Sequence, residues 1–142
     1  MPSEKSDGEG VVRSLTILVV EDAEEFRRFV CSLLKSKTEF EVDEAADGLE
    51  AVKKVQERQP GLVLLDIGLP DLNGIEVAKR VRELAPATRL LFVSGLSDRD
   101  IVNEALRWSA GYVHKPSVLN DLLPAIEAAL RNERFVSPDL EL

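Results

Sequence analysis

Short apolar runs alternate along most of this chain with segments whose apolar residues recur at helical spacing. The runs start near Leu15, Phe40, Leu62, Arg89 and Gly111. Strands that alternate with helices of this length form right-handed crossovers, which produce a parallel sheet covered by helices on both faces. The sequence therefore predicts an α/β fold, a doubly wound five-stranded parallel sheet with five helices in a three-layer sandwich.

The predicted elements carry local signals of their own. We predict strands at residues 15–20, 40–45, 62–65, 89–93 and 111–114. The second run is weaker and more polar than the others, which indicates a position near the edge of the sheet. Asp47 with Glu50 three residues later is typical of a helix N-terminus, and Ser97 or Asp98 is expected to cap the fourth helix. Pro124 is expected near the start of the last helix, where a missing N–H is tolerated.

The length of 142 residues suits one domain with a core of its own. We predict a flexible N-terminal tail at 1–13, a folded domain at 14–132, and a C-terminal tail or start of an interdomain linker at 133–142. The N-terminus lacks the basic and apolar regions of a secretory signal, and no apolar run is long enough to span a bilayer. Cys31, the single cysteine, cannot form an internal disulfide. We therefore expect a cytoplasmic protein without membrane contacts.

The charge of the chain bears on its partners. The formal net charge is −8, and no cluster of Lys and Arg stands out in the sequence. Contacts with nucleic-acid phosphates need clustered positive side chains. We therefore expect no direct nucleic-acid binding by this chain.

The predicted strands end on polar or small residues, although the strands themselves are almost wholly apolar. The residues that follow them are Glu21, Asp22, Asp66, Ser94, Gly95, Lys115 and Pro116. In open α/β sheets, sites form at the carboxyl ends of the strands, so these side chains should meet. Each pair of carboxylates about 4 Å apart repels by about 4 kcal/mol near a surface, and the set needs a cation. Oxygen ligands without His or Cys select Mg²⁺ or a similar ion.

Such a site suits phosphoryl chemistry. A carboxylate neutralised by the cation and by Lys115 can attack phosphorus and form an aspartyl phosphate. Positive groups around the phosphoryl oxygens supply most of what this transfer requires. Ser94 can then donate a hydrogen bond to the new phosphoryl group, and Gly95 leaves room for it.

These residues also carry a resemblance to a known family. The set is Glu21, Asp22, Asp66, Ser94, Lys115 and Pro116, with Tyr112 three residues before the lysine. It resembles the receiver domain of two-component response regulators, over residues 15–131. The segments "DIGLPDLNGIEVAKRVRE" and "GYVHKPSVLNDLLPAIEAALRNERFVSP" look most like the NarL/FixJ (LuxR-type) branch. The resemblance implies a flavodoxin-like receiver fold for residues 14–132.

The resemblance also implies roles for the residues at the strand ends. It implies that Asp66 accepts a phosphoryl group from the phosphohistidine of a sensor histidine kinase. It implies that Asp22, Asp66 and the backbone carbonyl of Gly68 bind Mg²⁺, with Glu21 helping directly or through water. Lys115 then pairs first with Asp66 and afterwards with the phosphoryl oxygens. The protein is accordingly expected to be no enzyme but a phosphoacceptor that catalyses its own phosphoryl transfer and dephosphorylation.

A switch and a readout surface follow from the same resemblance. Ser94 and Tyr112 form the switch, in which the hydroxyl moves toward the phosphate and the aromatic ring rotates inward. The fourth helix, fifth strand and fifth helix form the surface that controls a partner or output domain, in transcription regulation. Homodimers are expected through the first and fifth helices or through that readout surface.

Two departures from the family pattern matter. The first departure concerns two positions at which the family tunes hydrolysis of the phosphoryl group. These positions are Gly68, two residues beyond Asp66, and Leu96, two residues beyond Ser94. Neither side chain can hydrogen-bond an attacking water, so we expect a long-lived phosphorylated state.

The second departure is at the C-terminal end. Branch members usually continue into a DNA-binding helix-turn-helix, and the sequence leaves open whether this is a stand-alone receiver or a chain that ends where the linker begins.

Other functions remain as alternatives on the same fold. A Mg²⁺-dependent phosphatase of the haloacid dehalogenase type normally has an Asp-x-Asp pair after the first strand, whereas Asp66 is followed by Ile67 and Gly68. A flavin- or nucleotide-binding module needs a Gly-rich phosphate loop there, and this chain has Glu21 and Asp22 instead. A degenerate receiver that binds partners without phosphorylation is disfavoured by the complete acidic set.

Overall fold

The computed structural model describes residues 15–140, so the predicted N-terminal tail and residues 141–142 lie outside the described residues. The elements are β1 (Thr16–Val20), α1 (Glu24–Lys37), β2 (Glu41–Ala45), α2 (Gly48–Arg58), β3 (Leu62–Leu65), α3 (Gly74–Leu84), β4 (Arg89–Ser94), α4 (Arg99–Leu106), β5 (Gly111–His114), α5 (Val118–Leu130) and β6 (Phe135–Val136). A single 3₁₀ turn, Lys115–Ser117, joins β5 to α5. Across residues 15–140, every helix is too short or too polar to traverse a lipid bilayer.

The strands form one parallel sheet in the order β2-β1-β3-β4-β5-β6. This arrangement confirms the predicted α/β fold class, and the sheet has one strand more than the five that we expected. The prediction that the second strand lies at an edge is also confirmed, since within residues 15–140 β2 pairs with β1 alone. From β1 the chain moves outward to β2 and then back to β3 on the other side of β1. The strand order therefore reverses between β1 and β3, where such sheets open a crevice.

Helices cover both faces of the sheet, and the alternation of side chains along β3 shows why its sequence is apolar throughout. Val63 and Leu65 pack on one face with residues of α2, α3 and α4. Leu62 and Leu64 pack on the other face with residues of α1 and α5. Because successive strand residues point to opposite faces, a central strand has no position left for a polar side chain until it ends.

The helix starts follow the predicted capping signals. Asp47 Oδ1 accepts a hydrogen bond from the Glu50 N–H at 2.8 Å, and Glu50 Oε1 accepts one from the Ala46 N–H at 2.9 Å. The first bond is the N-cap bond expected at the start of α2, whereas Glu50 reaches back to the residue before the cap rather than to the N–H of Asp47 itself. At α4 the cap is Asp98 rather than Ser97, since its carboxylate accepts from the N–H groups one turn into the helix.

The expectation for Pro124 is wrong. Pro124 lies in the interior of α5 instead of near its start. The 3₁₀ turn Lys115–Ser117 leads directly into Val118, so the helical path is already established before Pro124. Proline has no N–H for the carbonyl of Asn120 one turn earlier, but both residues are exposed, so water can bind that carbonyl.

The additional strand β6 comes from the segment that we predicted as a C-terminal tail or linker. Phe135 pairs with Gly111 and Val136 pairs with Tyr112, in parallel, along the outer edge of β5. Val136 also packs against the core cluster shared by α2, α3 and α4. The outer edge of β5 is therefore covered by the chain itself.

Residues just beyond β6 fasten this segment to β5 and α5. Ser137 is buried, and its Oγ accepts a hydrogen bond from the His114 N–H at 2.9 Å and donates one to Asp121 Oδ2 at 2.7 Å. His114 Nδ1 lies 2.8 Å from Asp139 Oδ2, and this hydrogen bond holds the pKa of Asp139 below its usual value. The only histidine in the sequence thus has a structural contact at the end of β5.

Candidate functional site

Three carboxylates lie together at the crevice where the strand order reverses. Glu21 and Asp22 follow β1 and Asp66 follows β3, and one oxygen of each lies within 4.8 Å of the others. The register explains the proximity, because Val20 pairs with Leu65 and the next residue of each strand is then a carboxylate. Glu21 and Asp66 are buried, with 3% and 7% of their surface exposed, whereas Asp22 faces solvent. The structure therefore brings the predicted acidic set together.

Lys115 reaches the same crevice from the end of β5. Its Nζ lies 2.8 Å from Glu21 Oε1 and 3.3 Å from Asp66 Oδ2. The ammonium group also lies 4.7 Å from the centre of the Phe26 ring, a contact that sequence reasoning missed. Asp66 Oδ1 accepts a hydrogen bond from the Ile67 N–H at 2.8 Å. Both oxygens of Asp66 are therefore held in fixed directions.

The buried charges perturb each other. Burial raises the pKa of Glu21, and its hydrogen bonds from Lys115 and the Ala23 N–H offset this only in part. Burial lowers the pKa of Lys115, but the hydrogen bond to Glu21 and the charge of Asp66 outweigh burial and hold that pKa above its usual value. Lys115 is therefore charged at neutral pH, and a single ammonium group faces two buried carboxylates.

Ser94 and Tyr112 lie on β4 and β5, next to the crevice, and both contact the backbone of Leu96. Ser94 Oγ accepts a hydrogen bond from the Leu96 N–H at 3.2 Å. The Tyr112 hydroxyl donates to the Leu96 carbonyl at 2.7 Å. Both side chains are buried, and Tyr112 is completely inaccessible. The link between the two residues is therefore the peptide backbone at Leu96, which no sequence signal indicated.

The loop between β3 and α3 is anchored by Asp71, a residue that the sequence analysis did not single out. The Asp71 carboxylate accepts hydrogen bonds from the Gly48 N–H at 2.8 Å and the Leu49 N–H at 2.9 Å, at the start of α2. These bonds and that of Leu72 outweigh desolvation and hold the pKa of Asp71 below its usual value. Asp71 thus ties the loop that follows Asp66 to the neighbouring helix.

The second residue after Asp66, Gly68, is exposed and unobstructed. A Cβ built at this position would meet no atom of the described residues within 4 Å. The structure therefore leaves open space beside the crevice where many side chains would fit. Its backbone carbonyl belongs to the predicted ligand set, and that role remains a prediction.

Comparison with known proteins identifies the family. A model of the response regulator receiver domain matches residues 17–127. The chain belongs to this receiver family. The receiver domain is 31% identical over 118 residues to the chemotaxis protein CheY of Listeria monocytogenes, covering 82% of this chain and 99% of CheY. It is 32% identical over 124 residues to the transcriptional regulatory protein PdtaR of Mycobacterium tuberculosis, covering 85% of this chain and 59% of PdtaR.

Solved structures agree with the family assignment. A two-component response regulator of the LuxR family from Aurantimonas sp. SI85-9A1 matches this receiver domain with a TM-score of 0.84 and 32% identity. The match covers 90% of this chain and 93% of that one. The predicted resemblance to the receiver domain is therefore confirmed, and the domain serves phosphorylation-based signalling.

The acidic crevice of this receiver domain fits the ion that the family uses. Receiver domains bind Mg²⁺ at an acidic pocket, and Glu21, Asp22 and Asp66 form such a pocket here. All three donors are carboxylate oxygens, the ligand type that Mg²⁺ prefers. Mg²⁺ also keeps several of its waters, and the exposure of Asp22 leaves one side of the pocket open to them. The donor set therefore suits a partly hydrated hard cation.

Proposed function

We propose that this receiver domain is a phosphorylation-dependent switch in which Asp66 accepts a phosphoryl group from the phosphohistidine of a sensor histidine kinase. The proposal depends on one observation above all, the meeting of Asp66, two further carboxylates and Lys115 in a single crevice. An aspartate that capped a helix or closed a turn would have no reason to lie between an ammonium group and two other carboxylates.

The residues of the crevice have different roles in the phosphoryl transfer. An oxygen of Asp66 forms a bond to phosphorus while the bond from phosphorus to the kinase histidine breaks, and the histidine nitrogen keeps the electron pair. The Lys115 ammonium, 3.3 Å from Asp66 before transfer, is in reach of the phosphoryl oxygens afterwards. Mg²⁺ would be held by Asp22, Asp66 and the Gly68 carbonyl, with Glu21 helping directly or through water, and it would supply further positive charge there.

The switch proposed for Ser94 and Tyr112 is shaped by their contacts. When the Ser94 hydroxyl donates to a phosphoryl oxygen, the hydrogen bond that Ser94 Oγ accepts from the Leu96 N–H changes in length and direction. Tyr112 is already fully buried and bonded to the Leu96 carbonyl, so the inward rotation expected from the resemblance does not apply to this structure. We propose instead that the displacement passes through the backbone of residue 96. It then reaches the surface formed by α4, β5 and α5, where β6 is attached.

Acetyl phosphate tests the proposal directly. We expect the purified protein, incubated with acetyl phosphate and Mg²⁺, to gain the mass of one phosphate by intact mass spectrometry. The same incubation with EDTA should give no gain, because the carboxylates are then left without their counterion. Absence of any gain would favour a degenerate receiver, and multiple turnover of p-nitrophenyl phosphate would favour the haloacid dehalogenase type of phosphatase. A single gain without turnover supports a phosphoacceptor that is not an enzyme on other substrates.

We expect the phosphorylated state to persist for minutes or longer. Gly68 has no side chain and Leu96 is apolar and 40% exposed, so neither can orient a water for attack on the phosphoryl group. After removal of acetyl phosphate, the decay of the added mass in Mg²⁺ measures the lifetime. Loss of the phosphate within seconds would contradict this prediction, and Leu96→Glu supplies a variant in which an added carboxylate should accelerate the loss.

The output and location of the switch are proposals that depend on relatives. PdtaR is named as a transcriptional regulatory protein, and the Aurantimonas neighbour belongs to the LuxR family. We propose transcription regulation through a partner or an output domain, in the cytoplasm, without direct nucleic-acid binding by the receiver domain itself. Footprinting of chromosomal fragments with the purified receiver domain alone should show no protection.

Self-association is proposed through α1 and α5, which lie on the same face of the sheet. Leu119 on α5 is 72% exposed and Phe29 on α1 is 38% exposed. The alternative surface of α4, β5 and α5 has its strand edge covered by β6. We expect Leu119→Ser to weaken dimerisation in sedimentation velocity, while Leu49→Ser, an exposed leucine on α2, leaves it unchanged. A protein that is monomeric at all concentrations, with and without acetyl phosphate, would contradict the proposal.

A further inference from the structure

A cavity lined by arginines lies at the opposite end of the strands from Asp66. It is found at the amino ends of β4 and β5, beside the turn from α5 to β6, and has a volume of about 260 Å³. The residues that matter for its chemistry are Arg82, Arg89, Arg107, Arg134, Trp108 and Asn132. None of the described residues that line it is an aspartate or a glutamate. In a chain with a net charge of −8, this concentration of positive charge is a distinct feature, which we call the arginine cavity.

Neutral groups hold most of these arginines in place. Arg89 Nε donates a hydrogen bond to Asn132 Oδ1 at 3.2 Å, and Arg134 Nη2 donates to the Leu106 carbonyl at 2.9 Å. The Arg82 guanidinium lies 5.6 Å from the centre of the Trp108 ring. These contacts orient the three exposed or half-buried side chains without cancelling their charges.

Carboxylates compensate only one of the arginines within residues 15–140. Arg107 forms a loose ion pair with Glu104, with 3.7 Å between nitrogen and oxygen. For Arg82, Arg89 and Arg134, the described part of the chain contains no carboxylate oxygen within 4.0 Å of a guanidinium nitrogen. Positive charges gathered in a concave surface repel one another and raise the local potential, and a bound anion relieves that repulsion.

The remaining donors suit phosphate oxygens. A guanidinium group presents N–H donors in a planar fork that matches two oxygens of a phosphate. The Asn132 side chain uses its oxygen to accept from Arg89, so its NH₂ group is left as a donor. Asn132 also has a left-handed backbone with φ of 60°, which sets its position in the turn before β6. The donors therefore come from four separate parts of the chain and line one volume.

We propose that the arginine cavity binds the diphosphate group of a small anion, either inorganic pyrophosphate or a nucleoside diphosphate. The volume accommodates two linked phosphates, while a larger organic part would extend outward past Trp108. Several phosphate charges on adjacent atoms match several guanidinium groups within one small cavity. A carboxylate-rich peptide carries its charges farther apart, so we regard it as the weaker match. The site is independent of Asp66 and of the phosphorylation proposed there.

Trp108 makes the proposal directly measurable, because it is the only tryptophan in the sequence and it lines the cavity. We expect titration with inorganic pyrophosphate or ADP, in EDTA and at constant ionic strength, to change its fluorescence in a saturable way. Isothermal titration calorimetry should give the same affinity. The Asp66→Asn variant should bind both anions as tightly as the unaltered protein does, since residue 66 lies at the carboxyl ends of the strands, away from the cavity. Tighter binding of ADP than of pyrophosphate identifies a nucleotide site, and the reverse order identifies a site for the free anion.

Variants separate a specific site from general charge attraction. We expect Arg89→Gln and Arg134→Gln each to weaken binding about tenfold, as loss of one charge-assisted hydrogen bond does. Arg28→Gln is the matched control, because this exposed α1 residue carries the same charge and pairs with Glu24 far from the cavity. Circular dichroism melting curves check that each variant is folded. The proposal is overturned if neither method detects saturable binding, if Arg28→Gln weakens it equally, or if a hexaglutamate peptide displaces pyrophosphate at equal concentration.

Discussion

Asp66→Asn is expected to abolish phosphorylation by acetyl phosphate. An amide oxygen carries no negative charge and cannot form the acyl phosphate bond, and loss of a nucleophile costs a covalent mechanism more than about a thousandfold in rate. Intact mass spectrometry after incubation with acetyl phosphate and Mg²⁺ measures the result. The variant should remain folded, because the substitution removes repulsion between Asp66 and Glu21 while it gives up the contact with Lys115.

The matched control for this substitution is Asp100→Asn. Asp100 is an exposed carboxylate in the first turn of α4, outside the crevice. The Asp100→Asn variant should gain one phosphoryl group at the same rate as the unaltered protein. A phosphate-sized gain that survives in Asp66→Asn would show that another residue accepts the group, and the proposed function would then have to be abandoned.

Gly74→Ala is expected to produce the largest loss of stability among single-methyl substitutions in the loop after Asp66. A Cβ at residue 74 would lie 2.1 Å from the Asp66 carbonyl oxygen and 2.7 Å from the Ile67 Cα. Both contacts are with backbone, so the start of α3 must move away from β3, which typically costs about 1–3 kcal/mol and occasionally more. The same movement displaces the nucleophile, so the rate of phosphorylation should fall as well.

Gly68→Ala provides the control in the same loop. A Cβ at Gly68 meets no atom of residues 15–140 within 4 Å, and none of the described glycines has a positive φ. The free energy of unfolding should therefore change by no more than about 0.5 kcal/mol. Urea denaturation followed by circular dichroism compares the two variants. Equal stability of Gly68→Ala and Gly74→Ala would show that the close approach of α3 to the Asp66 carbonyl does not constrain this loop.

The sequence was sufficient to predict the strands and the crevice because the rule behind them is simple. A buried parallel strand has no place for a charge until it ends, and carboxyl ends of neighbouring strands lie side by side. Asp66 and Lys115 are 49 positions apart in the chain and nevertheless meet at 3.3 Å. Reading only the residues after each apolar run was therefore enough to find them.

Features without a periodic signal were not predicted. The strand β6 has only two residues, too few for alternation to be visible, and it forms because the outer edge of β5 is open to pairing. The arginines of the arginine cavity come from four separate parts of the chain, so no basic cluster stood out in the sequence. The contacts of Ser94 and Tyr112 with Leu96 go to its backbone, which has no residue-specific signature.

The pairing of β5 with β6 determines which substitutions this edge of the domain can accept during evolution. The ladder between the strands consists of main-chain groups, so Phe135 and Val136 can vary without losing it. Gly111 cannot vary in the same way, because a Cβ there would lie 2.3 Å from the Phe135 carbonyl oxygen. A side chain at residue 111 would therefore require the C-terminal segment of this chain to follow a different path.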